Sequence, residues 1–401
     1  MRILHVEKSM PAAGGIGAYL DTLEAAQRAA GHDVLRFGCV GTSGPAEMPA
    51  FHDFAASRNP FDVVRMVQNT AAASKLAAFL AGKQIDVAHL HNIYHHLTPS
   101  ILPVLARRRI GIVMTVHDYR LICPTKYFMR PSGLCMLCVP NKFHHAASPR
   151  CAGLAGVSVA LESFVQRFAR RYWRWIDLFL CPTAFMRGVL VRAGVPAAKA
   201  VVVRNPAALV PLPPRTKQRD DEVLYFGRLT GEKSPQLMLA LAQRLPEASI
   251  VIVGDGPLRA ELEAGAASLG LKNVALAGQL DRKGLGSYLA RATAVVLTSR
   301  CMENSPGSML EAMAAGRCVI VPDQPPLREW VRDGRTGRTF ACGDAESLAV
   351  ATREVLADPA GREAMARAGA ELVSAWHDPQ AVARRIEDCY RESMARCALR
   401  W

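Results

Sequence analysis

The sequence predicts an α/β protein made of two Rossmann-like domains, each built on a parallel sheet. Short β-branched runs alternate with longer segments of helical period along most of the 401 residues. Such alternation predicts parallel strands with helices on both faces of a sheet. A proline-rich and charged stretch near the middle divides the pattern into halves of similar length. Half of the residues are hydrophobic and 21% are charged, which excludes disordered and collagen-like classes.

The first domain is predicted to span residues 1–205. Its N-terminus has no apolar signal region before Glu7 and Lys8, so we expect a cytoplasmic protein without a secretory signal. Helical period follows over Gly17–Ala30 and Phe61–Ala81. The strand candidates are Ile3–Val6, Val34–Phe37, Val87–Leu90, Ile112–Val116, Leu178–Cys181 and Val201–Val203.

A linker is predicted over residues 206–221, where four prolines precede a charged run. The second domain is predicted over 222–375, and a charged amphipathic helix over 376–401 is expected to pack back across the pair. Doubly wound sheets bind ligands at the carboxyl ends of their strands, so we expect a ligand cleft between the domains. The strand candidates are Val223–Phe226, Ile250–Val253, Val274–Leu276, Ala294–Leu297 and Val319–Val321, with helices over Ser234–Leu245 and Pro257–Leu269.

The segment from Cys301 to Pro322 carries the most specific pattern. It follows a strand and opens a helix, with Ser305 suited to the N-cap and Pro306 to the first helical position. A helix start after a strand offers unpaired N–H groups to a phosphate. Glu303 and Glu311 lie on either side of that start and could accept hydrogen bonds from sugar hydroxyls. The alternative is structural, because Ser308 and Glu311 also match a capping box.

A second loop joins a strand to a helix through Gly227, Arg228 and Lys233. Its two cations are placed to neutralise a diphosphate leaving group, although a solvated turn would have the same composition. A glycine turn, Gly254-Asp-Gly-Pro, follows the next strand and is weak evidence on its own.

Two further patterns lie in the first domain. Gly14-Gly15-Ile-Gly17 follows the first strand. An ordinary turn between a strand and a helix would have such a glycine run too. His117 ends the fourth strand candidate, where a doubly wound sheet would deliver it to the cleft. His89 and His91 end the preceding strand. Without a carboxylate to complete a metal-ligand set, they are expected to line the acceptor pocket.

These motifs together resemble one family, the retaining GT-B glycosyltransferases of the large family four. Glu303 and Glu311 match its Glu-x7-Glu, and Gly227, Arg228 and Lys233 match its Gly-Arg-x5-Lys. The turn at Gly254 matches its Gly-Asp-Gly-Pro. The resemblance spans essentially the whole chain. In one departure, Asn-Ser-Pro follows the first glutamate, where Gly-Phe and then Gly or Pro is commoner.

The resemblance implies roles for the donor-side residues of a metal-independent hexosyltransferase that needs no cofactor. Arg228 and Lys233 would bind the nucleotide diphosphate, Glu311 the ribose and Glu303 the transferred sugar. The phosphates would also meet the backbone amides of Gly307, Ser308 and Met309.

On the acceptor side, the resemblance places Gly15 beside the diphosphate and makes His117 catalytic, in contact with the donor sugar. No carboxylate is identifiable as a covalent nucleophile. The resemblance therefore implies front-face displacement with retention, in which a phosphate oxygen accepts the acceptor's proton.

Four of the eleven cysteines lie within 29 residues, directly after His117. They could form a structural zinc site that orders this segment, although free thiols fit the spacing about as well. An odd cysteine count in a chain without an export signal argues against a disulfide framework. The four residues are Cys123, Cys135, Cys138 and Cys151.

The net charge of +14 is concentrated in residues 101–200, which carry 15 basic and 3 acidic side chains. Within that segment, Leu161–Asp177 has the period of an amphipathic helix. Its polar side carries Arg167, Arg170 and Arg174, with Trp173 expected to be exposed among them. Exposed tryptophan among arginines is typical of membrane interfaces, so this surface predicts contact with an anionic membrane or a lipid diphosphate acceptor.

The sequence therefore favours a transferase that moves a hexose from a nucleotide diphosphate sugar to a glycan precursor. That precursor is expected to be lipid-linked and to serve cell-surface polysaccharide (exopolysaccharide) synthesis. The enzyme would lie at the inner face of the cytoplasmic membrane. One alternative is a nucleotide-sugar epimerase of the same fold type. Another is a basic nucleic-acid-binding protein. The sequence has no recognisable nucleic-acid-binding module, and this alternative leaves Glu303 and Glu311 unexplained. No nucleic-acid partner is expected.

Overall fold

A computed structural model describes residues 1–10, 14–40, 48–49, 65, 67–147, 151, 156–207 and 221–400. The chain divides into two compact units. The first holds residues 1–131, 135–206 and 379–401, and the second holds 207–378 with 132–134. Residues 208–220, most of the predicted linker, lie outside the described part.

The strands of the described part are numbered in chain order. They are β1 (Arg2–Met10), β2 (Asp33–Val40), β3 (Val87–Leu90), β4 (Gly111–Thr115), β5 (Met129–Arg130), β6 (Gly133–Leu134), β7 (Leu178–Cys181), β8 (Ala200–Val202), β9 (Glu222–Phe226), β10 (Ser249–Val253), β11 (Val274–Gly278), β12 (Ala294–Val296), β13 (Cys318–Pro322) and β14 (Arg338–Phe340).

The helices of the described part are numbered in the same way. They are α1 (Gly14–Ala29), α2 (Thr70–Phe79), α3 (Leu102–Arg107), α4 (Gly156–Ala169), α5 (Ala184–Arg192), α6 (Gln236–Arg244), α7 (Arg259–Ser268), α8 (Arg282–Arg291), α9 (Gly307–Ala314), α10 (Ala345–Ala357), α11 (Pro359–His377) and α12 (Pro379–Ala398).

The first unit is built on a parallel six-stranded sheet in the order β2-β1-β3-β4-β7-β8. The strand order reverses between β1 and β3, which is the position where doubly wound sheets bind ligands. Its inner strands are buried on both faces, and the core includes Ile3, Val87, Val113 and Leu178. The sheet therefore brings the ends of β1, β3 and β4 side by side.

The final helix α12 belongs to this first unit. It places Ile386, Tyr390 and Ser393 among its buried residues, at the spacing of one helical face. Ser393 Oγ lies 3.0 Å from the buried carboxylate of Asp177. A Cβ at Gly111 would come within 2.8 Å of the same hydroxyl, so glycine permits α12 to lie directly on β4.

The second unit has a parallel sheet in the order β11-β10-β9-β12-β13-β14. This order reverses between β9 and β12, whose carboxyl ends carry the two loops singled out from the sequence. Two hydrophobic clusters cover the faces of the sheet, one around Met238 and Ile250 and the other around Met309 and Trp330.

All eleven predicted strands are confirmed, with ends shifted by a few residues. The sequence did not predict the short strands β5, β6 and β14. The predicted helix over Phe61–Ala81 is described only in part: α2 begins after Asn69, whose side chain accepts from Ala72 N at 3.0 Å. Residues 61–64 and 66 lie outside the described part.

Candidate active site

The loops after β9 and β12 lie next to each other in the second unit, because their strands are neighbours in the sheet. Hydrogen bonds join the loops directly. Thr298 Oγ1 donates to the carbonyl of Lys233 at 2.6 Å, and Arg300 N donates to the carbonyl of Glu232 at 3.0 Å. The two donor-side motifs therefore form one site within this unit.

The Gly-Asp-Gly-Pro turn supports the loop after β9. A Cβ on Gly254 would lie 1.9 Å from the carbonyl oxygen of Gly227, so only glycine permits this approach. Leu229 N donates to the carbonyl of Asp255 at 2.9 Å. In this structure the turn packs against the loop that carries Arg228.

Lys233 and Glu303 are paired, with Nζ 2.5 Å from Oε1. Ser299 Oγ also donates to the same carboxylate. Burial would lower the pKa of Lys233, but the adjacent Glu303 carboxylate outweighs it and the pKa is raised. Lys233 therefore carries a full positive charge at neutral pH.

Gln324, which sequence reasoning missed, holds the backbone around Glu303. It is 0% exposed; its Oε1 accepts from Glu303 N at 2.9 Å, and its Nε2 donates to the carbonyls of Ser299 and Cys301 at 3.0 and 2.9 Å. A single glutamine after a strand has no distinctive pattern, and its position just past β13 was the only available signal.

The start of α9 differs from the prediction. Ser305 is not the N-cap, and Pro306 is not the first helical residue: Pro306 is the N-cap, with φ −69° and ψ 119°, and no side chain caps the helix. The capping box of Ser308 and Glu311 therefore does not form. The amides of residues 307–309 have no partner within the helix, since the first helical bond runs from Leu310 N to Pro306 O at 3.2 Å.

Glu311 lies half-buried on α9, and its side-chain carboxylate makes no hydrogen bond within the described part of the chain. Burial raises its pKa to about 7, although Arg282 opposes this shift. An unbonded carboxylate beside a helix start can accept hydrogen bonds from vicinal hydroxyls of a ligand.

Arg228 is exposed, with 61% of its side chain accessible. It forms an ion pair with Glu232 at 3.2 Å, and its carbonyl accepts from Tyr225 OH at 2.9 Å. The backbone is held while the guanidinium stays accessible to an anion. The second unit thus holds Arg228, Lys233 and Glu303 on two adjoining loops, and places Glu311 and the α9 amides on the helix that follows Glu303.

In the first unit, His117 follows β4 and is half-buried. Burial lowers its pKa to about 4, against the opposing effect of Asp118, so the ring is neutral at physiological pH. The Asp118 carboxylate accepts from Arg120 N at 2.9 Å and caps the short turn that follows. His117 therefore acts as a hydrogen-bonding group and not as a fixed cation.

His89 and His91 do not line a pocket as the sequence suggested. They are 0% and 2% exposed, and they pack with His5 of β1 beneath His117. His5, His89 and His91 have ligand atoms within 4.8 Å of one another, the one such group found in the described residues. The rings already share hydrogen bonds with each other and with neighbouring side chains, such as His91 Nδ1 with His117 Nε2 at 3.0 Å.

Three further residues lie on β1 or on α1, the helix that follows it. Gly15 is exposed at the start of α1, at the carboxyl end of β1 as predicted. Tyr19, one turn on, packs edge-on against the His117 ring with centroids 4.8 Å apart. Sequence reasoning missed Glu7, which is 3% exposed and whose pKa burial raises to about 7.

The predicted single helix over Leu161–Asp177 is wrong. Helix α4 ends at Ala169, and a 3₁₀ helix with three residues per turn continues over Arg170–Trp175. Trp173 therefore lies over Arg170, with 4.6 Å between ring and guanidinium, and packs against Phe179 of β7 at 5.8 Å. The prediction of an exposed Trp173 is wrong for this reason.

Arg170 is also partly buried. Its Nη1 donates to the carbonyl of Ala193 at 2.9 Å, and burial lowers its pKa to about 10. The exposed residues of this surface are Arg167, Arg171 and Arg174, together with Phe164, which is 59% exposed. Basic and apolar groups thus share the surface, but through different residues than predicted.

All eleven cysteines are free. Cys123 and Cys138 are buried, and Cys135 and Cys151 are half-buried. Burial is the main cause that raises the pKa of Cys138 to about 12, and the other three thiols act in the same direction. The four lie in one region, but within the described ranges they do not form a group whose ligand atoms converge on a single point.

Comparison with known proteins decides the family. The profile of the glycosyl transferase 4-like domain matches residues 14–206, and that of the glycosyl transferases group 1 matches residues 213–372. The chain belongs to the group 1 glycosyltransferases. The GT-B fold and the enzymatic class predicted from the motifs are confirmed, and the non-enzymatic alternative is wrong.

Relatives of this glycosyltransferase are named for different substrates and products. It is 29% identical to glycogen synthase of Mycobacterium tuberculosis, over 97% of this chain and 94% of that protein. It is 30% identical to phosphatidyl-myo-inositol mannosyltransferase of Mycobacterium leprae, over 42% of this chain and 46% of that protein.

Solved structures share the fold at low identity. Sucrose-phosphate synthase from Thermosynechococcus elongatus has a TM-score of 0.74 and 20% identity, covering 98% of this chain and 99% of that one. Anabaena Alr3699/HepE, solved with UDP-glucose, has a TM-score of 0.66 and 18% identity, covering 97% and 99%. Within the described ranges, the glycosyltransferase has no helix with the length and apolar character to cross a bilayer.

Proposed function

We propose that this glycosyltransferase moves a hexose from a nucleoside diphosphate sugar to a hydroxyl of a glycan precursor. The observation that carries the proposal is the site at the ends of β9 and β12, where Lys233 is paired with Glu303 and the chain after Glu303 opens α9, which carries the free amides and Glu311. A cation and a helix N-terminus bind a diphosphate, and carboxylates bind hydroxyls. The relative HepE, solved with UDP-glucose, supports the donor class.

In the proposed reaction, the bond between the sugar C1 and the phosphate oxygen breaks and its electron pair leaves with the diphosphate. Lys233, Arg228 and the α9 N-terminus stabilise that developing charge, so we propose that no metal ion or other cofactor is required. The acceptor oxygen bonds to C1 on the same face, and its proton passes to a phosphate oxygen. Configuration at C1 is then retained.

The contacts of Glu303 support this pathway over a covalent one. Its carboxylate already accepts hydrogen bonds from Lys233 and Ser299, and its backbone is held by Gln324. A carboxylate held in this way is suited to bind a sugar hydroxyl and is a poor nucleophile. His117 would contact the transferred sugar as a neutral imidazole.

We propose further that the acceptor is lipid-linked and that the enzyme works at the inner face of the cytoplasmic membrane in cell-surface polysaccharide synthesis. The support is the exposed surface of Phe164, Arg167, Arg171 and Arg174, which combines an apolar ring with three cations. The mannosyltransferase relative, whose name includes a phosphatidylinositol, is consistent with such an acceptor.

Incubation with a panel of nucleoside diphosphate sugars tests the proposal, with release of the nucleoside diphosphate as the readout. A membrane lipid extract and short oligosaccharides serve as acceptors. We expect release that depends on acceptor in the wild type and is lost in Lys233→Met. Conversion of a nucleotide sugar to its isomer without acceptor would favour the epimerase alternative, and an inverted product anomer by NMR would exclude retention.

A further inference from the structure

A row of buried hydrogen bonds connects the side-chain amide of Gln27 to His117. Gln27 Oε1 lies 2.8 Å from His5 Nε2, and His5 Nδ1 lies 3.0 Å from His91 Nε2. His91 Nδ1 lies 3.0 Å from His117 Nε2. We call Gln27, His5, His91 and His117 the imidazole relay. None of its first three members is more than 2% exposed, so water does not interrupt it.

Every ring of the relay is neutral at physiological pH. Burial lowers the pKa of His5 and His91 and brings that of His117 to about 4. A neutral imidazole donates through one nitrogen and accepts through the other. The direction of each hydrogen bond in the relay therefore follows from the group at its buried end.

We infer that Gln27 determines the tautomer of His117 through His5 and His91. The amide oxygen of Gln27 can only accept, so His5 Nε2 donates to it and His5 Nδ1 accepts from His91 Nε2. His91 Nδ1 then accepts from His117 Nε2. His117 is thereby left with an unprotonated Nδ1, a nitrogen that accepts hydrogen bonds and does not donate them.

A second branch holds the Gln27 amide in this orientation. Gln27 Nε2 donates to Tyr390 OH at 3.0 Å, and that hydroxyl lies 2.7 Å from His89 Nδ1. His89 Nε2 lies 2.7 Å from Thr115 Oγ1. If the amide turned over, Gln27 would accept from Tyr390 OH, and every hydrogen bond from Gln27 to His117 would have to reverse. The network therefore has two discrete states, and His117 carries its proton on a different nitrogen in each.

Gln27, His5 and His91 are accordingly positioning residues, since they act on the sugar only through His117. Tyr19 packs edge-on against the rings of His91 and His117, at 5.6 and 4.8 Å, and restricts their planes. The importance of this tautomer for turnover rests on the proposed function. The tautomer itself can be measured without any substrate.

The test is ¹⁵N NMR of the full-length protein with ¹⁵N-labelled histidine rings, in which protonated and bare ring nitrogens are distinguished directly. His117→Ala assigns the His117 signals by their loss. In the wild type at pH 7 we expect a protonated Nε2 and a bare Nδ1 on His117. A protonated Nδ1, a cationic ring or an even mixture of tautomers would each overturn the inference. This measurement uses the wild-type protein and needs no variant at Gln27.

Gln27→Met removes the amide and keeps a side chain of similar length. We expect the His117 signals to shift toward the other tautomer and kcat to fall between roughly 10- and 10⁴-fold, with KM for the donor unchanged. Ala29→Met, at an exposed position on the same helix, should change neither. Unchanged His117 signals in a folded Gln27→Met protein would overturn the inference. Full activity in His117→Ala would contradict only the proposed catalysis.

Discussion

Lys233 Nζ lies 2.5 Å from Glu303 Oε1, so two residues assigned to different parts of the donor are in direct contact. Their side chains are 23% and 9% exposed. Charges this far from water depend on each other, because removal of one leaves the other buried and uncompensated. The pair therefore links donor binding to the stability of the second unit.

A double-mutant cycle tests that dependence. Lys233→Met and Glu303→Gln should each lower the free energy of unfolding by about 2–4 kcal/mol, and the double variant should recover most of the loss. Transfer activity should be lost in all three. Urea unfolding followed by circular dichroism gives the stabilities. Additive losses in the double variant would show that the pair contributes little.

Glu311 predicts a pH-dependent stability difference. Its pKa is raised from 4.5 to about 7. Between pH 4.5 and about 7, this carboxyl group is therefore protonated in the folded protein and ionised in the unfolded chain. The stability from this group is complete at low pH and is lost as pH rises through 7. Glu311→Gln should therefore match the wild type near pH 4.5 and be more stable at pH 8, by up to ~3 kcal/mol.

Unfolding at both pH values checks this, with the exposed Glu261→Gln as control. A pH-independent difference between Glu311→Gln and the wild type would contradict the shifted pKa. The same variant should bind the nucleoside diphosphate more weakly, as measured by calorimetry, because it lacks the carboxylate for the ribose.

His117 predicts a large catalytic loss with a characteristic pH profile. His117→Ala should lower kcat by about 10²–10⁴-fold. Because the pKa of His117 is about 4, lowering the pH from 7 to 5.5 should not protonate it. Kinetics across that range test both points. An acid limb near pH 6.5 that vanishes only in His117 variants would contradict a neutral imidazole.

The basic surface of the first unit predicts binding to anionic vesicles. Reversing Arg167, Arg171 and Arg174 to glutamate should weaken binding to phosphatidylglycerol vesicles at low salt, since each cation contributes about 1 kcal/mol. Reversing the exposed arginines 335, 353 and 367 of the second unit is the matched control. Sedimentation measures binding. If the wild type does not sediment, the membrane proposal fails.

Arg170 should behave differently from the exposed arginines around it. It stacks between Phe143 and Trp173 and bonds to a backbone carbonyl, so Arg170→Met should lower thermal stability and leave vesicle binding nearly unchanged. Thermal unfolding and sedimentation on the same variant distinguish the two roles.

The zinc site predicted from the four cysteines requires their sulfurs to come closer together than the structure places them, and it would give about one zinc ion per chain in purified protein. Cys135→Ser or Cys138→Ser should abolish it, while Cys342→Ser, in the second unit, should retain it. Elemental analysis provides the measurement. Zinc-free wild-type protein would show that the four thiols serve packing alone.

The sheets could be predicted because each strand is a short β-branched run between helical segments, as at Ile250–Val253. Strand β14 lacked that signal, since Arg338-Thr-Phe has no such run and lies at the edge of its sheet. The switch from α to 3₁₀ geometry at Arg170 was also unpredictable, because both helix types accept the same residues. Trp173 lies within that 3₁₀ segment and packs against Phe179 of β7.

The donor residues could be predicted because they belong to spaced motifs on loops after strands. Gln324 and Gln27 belong to no motif, and their importance comes from contacts between segments far apart in the chain. The pairing of Lys233 with Glu303 likewise depends on β9 and β12 being neighbours, which strand order along the chain does not reveal.

Helix α12 has a consequence for how this protein is made. During synthesis the ribosome completes residues 1–206 first and then the whole second unit before Tyr390 and Ser393 emerge. At ~5–20 residues per second, the N-terminal unit waits on the order of ten seconds or more for its last helix. Until then the hydroxyl that contacts Gln27 and His89 is missing, and the β4 face that α12 covers is open to water. The nascent chain therefore exposes an incomplete apolar surface at the stage when chaperones meet it.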